Sequence, residues 1–230
     1  MLSITELKRY AFRRGLKISE HIRKDYAQDV ILFILYTRIS PKFIFRGSTC
    51  LWKLYKSPRF SEDIDLQFHK RIEFEKELVR ELDLWGFNIR ILEKRYTANS
   101  LFMNIMLSAS NFGSTQIPIE ITFREGKSEE TVLYSPYPDL PDFEVLSQPL
   151  DEMLADKINA ILVRNKPRDL FDAYYLVTRF NLKITCKPSL LIEKIEHLRK
   201  LWRSLEPIVM RKLPPFDDVK NTIIRACIDK

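Results

Sequence analysis

Glycine is scarce, at 5 of 230 residues, so neither a collagen-like repeat nor a flexible Gly/Ser linker is present and each glycine marks a local backbone demand. Cysteine numbers only three (Cys50, Cys186, Cys227), with no CxxC pair, which argues against a disulfide framework or a thiolate zinc site and for a reducing compartment. Histidine is equally rare, and His21, His69 and His197 share no metal-ligand spacing. Nor is any Ser-His-Asp or Cys-His arrangement legible. No apolar run approaches the ~18 residues of a membrane span, and the charged start MLSITELKRYAFRRG lacks the apolar stretch of a secretory signal. A soluble, cytoplasmic protein with no membrane partner is expected.

What the sequence does have is an ordinary globular mixture, 45% hydrophobic and 30% charged, with an uneven distribution of charge. Residues 1–60 carry 13 Lys/Arg against 4 Asp/Glu, residues 61–150 carry 9 against 16, and residues 151–230 carry 16 against 11. Basic flanks around an acidic middle suit a polyanion held beside a carboxylate site, although Lys/Arg-rich helices can also be merely solvated.

The pattern of residues predicts a short helix over 4–14 and a longer one from Ser19, as its cap, through Ile39 with the buried run VILFILY. A strand at 43–45, a tight turn at 46–49 and a helix to Pro58 follow. Strands are expected at 63–68, 87–95, 101–107 and 116–123, with a charged helix at 71–85. The stretch 134–149 holds Pro136, Pro138, Pro141 and Pro149 and is expected to be a connector without regular structure. Beyond it the periodicity is helical, at 150–164, 168–180, 189–205 and 216–228. The fold class is α+β: a mixed sheet flanked by helices, with an N-terminal helical arm and a C-terminal helical lobe, divided as 1–145 and 146–230.

Asp63 and Asp65 alternate along one strand, so both carboxylates project from one face while Ile64, Leu66 and Phe68 pack inward. Two acids so close favour a retained proton or a shared divalent cation, and an all-oxygen set suits Mg²⁺ or Mn²⁺. The Gly47-Ser48 turn ahead of them can expose peptide N–H groups to a phosphate, with the hydroxyls of Ser48 and Thr49 as further donors. No GxxxxGK[ST] run exists, which excludes a Walker P-loop. Glu120 lies between Ile119 and Ile121 on a later strand and is the candidate third metal-binding carboxylate; alternatively it simply faces solvent. Lys157 lies on a helix with an ammonium suited to a triphosphate, and Asp169 and Asp172 lie three apart on the next helix. A buried Lys–Asp pair joining two helices would explain the same spacing. Arg59 and Arg168 suit either phosphate or a neighbouring acid, and Trp52 and Tyr55 suit either the core or base stacking.

The segment FRGSTCLWKLYKSPRFSEDIDLQF closely resembles the G-[GS]-T-x-L … R-F-S-E-D-[IL]-D signature of the AbiEii-type nucleotidyltransferases. These are toxins of type IV toxin–antitoxin and phage abortive-infection systems, related to the MenT toxins, in the DNA polymerase beta-like superfamily. Glu152 to Ala160 is similar to the family's E-x4-K-x2-A pattern, and Arg168 to Asp172 to its R-D-x-x-D segment, so the likeness spans about Arg46 to Leu176. Arg46-Gly47-Ser48 replaces the usual Gly-Gly, adding a cation beside the turn. The resemblance implies a nucleotidyltransferase-like fold and a Mg²⁺- or Mn²⁺-dependent enzyme with Asp63, Asp65 and Glu120 as metal ligands. It makes Lys157 and Asp172 catalytic and has Gly47, Ser48, Thr49, Lys157 and Asp169 bind a nucleoside triphosphate. It also implies a cognate antitoxin and, for MenT-like relatives, the 3′ end of tRNA as acceptor. A nucleotide- or antitoxin-binding protein without catalysis, or transfer to a small molecule or protein hydroxyl, are the competing readings.

Overall fold

A computed structural model describes residues 2–186 and 188–228, which divide into two compact units. The first comprises Met1–Lys56 and Ser61–Gln148; the second comprises Ser57–Phe60 and Pro149–Lys230.

In the first unit, α1 (Ile4–Ala11) begins with a reciprocal cap in which the Ser3 hydroxyl accepts from the Glu6 N–H and the Glu6 carboxylate accepts from the Ser3 N–H. A 3₁₀ turn (Phe12–Arg14) ends at Gly15, whose φ of 80° closes it. α2 runs over Ser19–Ile34 and passes into a wider π turn at Leu35–Ile39. Ser19 is its first residue and not its cap; the flanking position is Ile18, which makes no side-chain capping bond. α2 also buries what its hydrophobicity does not reveal. Asp25 and Asp29 are fully enclosed, with Lys53 bonded to Asp25 at 2.6 Å and ion-paired with Asp29 at 2.7 Å, and Arg14 bonded to Asp25 at 2.8 Å. Trp52 Nε1 and the Tyr137 hydroxyl each donate to Asp25 at 2.7 Å, which makes Trp52 a core residue.

The sheet has the order β3-β4-β5-β2-β1-β7-β6. Its strands are β1 (Ile44–Arg46), β2 (Ile64–Phe68), β3 (Asn88–Tyr96), β4 (Ser100–Ala109), β5 (Gly113–Phe123), β6 (Glu129–Leu133) and β7 (Phe143–Ser147). α3 (Gly47–Lys53) follows β1 and α4 (Glu75–Leu84) precedes β3. The sheet is mixed: β1 is antiparallel to β2 and parallel to β7, and β2 is parallel to β5. Alternation decides its faces. Leu101, Met103, Ile105 and Leu107 of β4 are buried in step with Ile117, Ile119 and Ile121 of β5 and Ile64 and Leu66 of β2. α2 packs on β5.

Two further expectations for this unit need correcting. The proline-rich stretch is not bare connector, because β7 forms inside it; Pro141 and Pro149 flank Phe143–Ser147 without entering its ladder. The charged helix starts at Glu75, four residues later than its periodicity suggests. Pro118 lies inside β5 opposite Asn104 of β4, one residue before the pairing with β2 begins at Ile119.

The second unit is built from α5 (Leu150–Val163), α6 (Pro167–Phe180), α7 (Pro188–His197), a 3₁₀ segment (Arg199–Ile208) and α8 (Phe216–Ala226). Its core includes Leu170, Phe171, Leu176, Leu191, Ile195, Trp202 and Val219. Ser57–Phe60 joins it through a bridge between Arg59 and Val209, with Phe60 N–H donating to the Ile208 carbonyl at 2.8 Å. The end of the expected 216–228 helix is instead strand β9 (Cys227–Ile228), paired in parallel with β8 (Ile184–Thr185). Cys186 and Cys227, 41 residues apart in sequence, thereby meet with their sulfurs 3.4 Å apart, not joined as a disulfide. Among the described residues no helix is long and apolar enough to cross a membrane.

Candidate active site

The site of the first unit is organised by one turn. β1 ends on Arg46 in extended conformation, and Gly47 turns the chain with φ +74°, a region that L side chains rarely adopt. A Cβ placed on Gly47 would stand 2.3 Å from Asp65 Oδ2 and 3.0 Å from Asp65 Cβ. The absent side chain is therefore what lets the carboxylate of Asp65 lie against the turn. α3 has only seven residues, so the turn's own peptide groups and the Ser48 hydroxyl, more than a long helix dipole, are what it offers an anion.

Strand register carries the acids. Asp65 is level with Arg46 on β1 and with Glu120 on β5. Asp63 stands one residue ahead of β2, two before Asp65, and both are half-buried while Glu120 is exposed. Thr49 is fully buried and its hydroxyl donates to the Asp63 carbonyl. Its one proton thus ties α3 to the acidic segment, which places Thr49 behind the site and not at its surface. Gln67, on the same face as Asp65, is also buried and accepts a hydrogen bond from Arg124 Nε at 3.0 Å, so the polar face of β2 is not wet along its whole length. Among the described residues no three His, Cys, Asp or Glu side chains gather as a preformed metal cluster. The donor set nevertheless fits Mg²⁺, which is commonly held by one or two carboxylates, its remaining ligands being water and substrate phosphate.

The second unit gathers the other predicted residues. Arg59 grips Asp172 with two parallel bonds, Nε to Oδ1 at 2.8 Å and Nη2 to Oδ2 at 2.7 Å, and Lys157 Nζ lies 2.9 Å from the same Oδ2. Lys157 is also 3.7 Å from Asp169 Oδ1, and Arg164 holds Asp169 through Nε and Nη2, both at 2.9 Å. Burial alone would raise the Asp172 carboxyl, but Arg59 and Lys157 outweigh it and hold the group well below the usual carboxylate range. Both oxygens of Asp169 and of Asp172 are thus engaged by cations of the same unit. Lys157 is buried among Met153, Leu154, Ile158 and Ile161 of α5, so the pair Lys157–Asp172 does join two helices.

The sequence profile of the family described as Nucleotidyl transferase AbiEii toxin, Type IV TA system, matches residues 34–220. That covers most of the chain. The chain belongs to the AbiEii nucleotidyltransferase toxin family. The match extends the motif-based likeness on both sides and leaves only the N-terminal arm and the last residues outside it. The fold is similar to the crystal structure of JHP933 from Helicobacter pylori, with a TM-score of 0.62 and 15% identity over 92% of this chain and 91% of that one. It is likewise similar to MenT4, a nucleotidyltransferase toxin from Mycobacterium tuberculosis H37Rv, with a TM-score of 0.61 and 16% identity over 98% of this chain and 88% of that one. No curated protein matches the sequence significantly. Membership of a type IV toxin–antitoxin family implies a cognate antitoxin.

Sequence reasoning missed one feature of the acidic row. Glu120 is opposite Phe102 on β4, and Phe102 is opposite Arg95 on β3, whose guanidinium lies 5.1 Å from the Phe102 ring centre. The alternation Leu101, Met103, Ile105, Leu107 into the core was a usable signal, because it places Phe102 on the polar face. Arg164 precedes Asp169 by five residues and meets it across the turn between α5 and α6, a local spacing that was not read as a pair.

Proposed function

We propose that this AbiEii-family protein transfers a nucleotide from a nucleoside triphosphate to an acceptor hydroxyl at the Gly47–Asp65 turn, and that the reaction depends on Mg²⁺ or Mn²⁺. The observation that supports the reading is the approach of the Asp65 carboxylate to the Gly47 turn, where an added Cβ would stand 2.3 Å from Oδ2: a turn able to take an anion beside an acid able to hold a cation is what such a transfer needs. Asp63 and Asp65 would hold the divalent ion, which when bound supplies charge neutralisation at the phosphoryl oxygens. The peptide N–H groups at Gly47 and the Ser48 hydroxyl donate to the triphosphate, and Arg46 adds positive charge at the same edge. Glu120, level with Asp65, is assigned the proton of the acceptor hydroxyl: that oxygen bonds to the α-phosphorus as the bond to the leaving pyrophosphate breaks. Within the second unit Asp172 and Asp169 hold the Lys157 ammonium, and the E-x4-K-x2-A motif is what supports reading Lys157 as a phosphate-binding cation.

The acceptor proposed is an RNA 3′ end, tRNA first among candidates, because the basic flanks at 1–60 and 151–230 suit a polyanion. The test is transfer from each of the four labelled triphosphates into total tRNA, with and without Mg²⁺. Wild type is expected to label RNA only with metal, and Asp63→Ala to abolish labelling while its circular dichroism stays native. Asp63→Ala labelling at the wild-type rate would refute the assignment. Metal-dependent nucleotide binding with no labelled product of any kind would favour a binding protein.

A further inference from the structure

Along one row of the sheet, register partners succeed one another across four strands: Asp65 on β2, Glu120 on β5, Phe102 on β4 and Arg95 on β3. Register partners project to the same face, so this row runs in order from two acids to an aromatic ring to a cation. The opposite face of the same strands is the apolar core, with Leu101, Met103, Ile119 and Ile121 at most 1% exposed. Phe102 thus stands on the polar side, half-buried, where packing does not require a ring. A cation meets it there. The Arg95 guanidinium lies over the ring at 5.1 Å while Arg95 Nε bonds Glu93 at 2.7 Å, and the arginine side chain is 69% exposed. A ring that meets an exposed, weakly hydrated guanidinium on the polar face is a stacking surface that a flat ligand can share.

We propose that Phe102 and Arg95 form a stacking platform for an unpaired nucleobase, held one strand away from Glu120 and two from Asp65. Strands are spaced about 4.8 Å apart, so the ring lies roughly 10 Å from the column of Asp65, on the scale of one nucleotide. The base lies on the Phe102 ring, with the guanidinium stacked on its exposed side, and the phosphate or ribose end points toward the acids. What the base is doing there rests on the nucleotidyl-transfer reading above; that a base binds there does not. The base belongs either to the triphosphate or to the last nucleotide of the acceptor, and both present the same flat, polarisable surface.

The experiment uses the full chain and two probes, a nucleoside triphosphate with Mg²⁺ and a short fluorescein-labelled single-stranded RNA, against wild type, Phe102→Leu, Phe102→Trp and Arg95→Ala. Phe102→Leu keeps apolar bulk and is expected to weaken one probe by between about fivefold and a hundredfold, the range for one stacked base. Phe102→Trp is expected to restore affinity and to show indole quenching on binding, which a merely structural ring would not do. Loss confined to the triphosphate assigns the base to the donor, and loss confined to RNA assigns it to the acceptor. Equal affinities of wild type and Phe102→Leu for both probes, or no binding of either probe by wild type, overturn the platform. Wild type that binds a probe and loses it in Phe102→Leu, yet labels no RNA, keeps the platform and defeats the transfer reading, so the two fail separately.

Discussion

Gly47 and Thr49 show how single residues set the chemistry of the first unit. Gly47 is needed twice, for its positive φ and for the space that Asp65 occupies. Gly47→Ala is expected to lower stability by about 1–3 kcal/mol, from backbone strain, and to displace the carboxylate. A displacement of that kind is worth on the order of 10²-fold in rate, so transfer activity and a urea titration on one preparation check both effects. Thr49→Val keeps the shape and removes the donor to the Asp63 carbonyl; a loss of about 1–2 kcal/mol in urea is expected. Glycine in a turn and paired aspartates on a strand were both visible in the sequence. The direction of the Thr49 hydroxyl was not, because a hydroxyl that can serve a phosphate can serve a carbonyl equally well, and only the packing of α3 on β2 chooses.

At the scale of elements, the least legible feature is the enclosed charge beneath α2. Arg14 from the turn after α1, Asp25 and Asp29 from α2, and Lys53 from α3 place two acids and two cations in one buried network, joined by Trp52 and Tyr137. Hydrophobic patterning cannot reveal a buried acid whose partner comes from another element. Removing one partner of such a network leaves an unpaired buried charge, so Asp25→Ala is expected to cost about 3–5 kcal/mol, read as a fall in the thermal midpoint. An unchanged midpoint would show that the network is neutral to stability. The same limit hid β7. Proline density around Phe143–Ser147 was visible, whereas the free edge of β1 that draws the segment into the sheet exists only in three dimensions.

For the whole molecule, acid sensitivity is the shared property of the two units. Asp25 in the first and Asp172 in the second are both held below their ordinary value near 3.8 by buried cations that outweigh the cost of burial. A carboxylate whose folded pKa is depressed contributes stability that is present above its unfolded value and is lost as pH falls through the folded one. Urea midpoints are therefore expected to stay nearly level from neutral pH to about pH 5 and to drop below about pH 4, with a shallower drop in Asp25→Asn and Asp172→Asn. A drop as steep in both variants as in wild type would place the acid response elsewhere.

The order of elements, the acidic strand after a small-residue turn, and the family likeness from Arg46 to Leu176 were set by local sequence, because alternation, helical spacing and short motifs are properties of neighbouring residues. Which side chains meet across the sequence was decided by the fold alone. Arg59 reaches Asp172 across 113 positions, and Cys186 meets Cys227 across 41. Each pairing depends on how whole elements pack, and no interval along the chain encodes that.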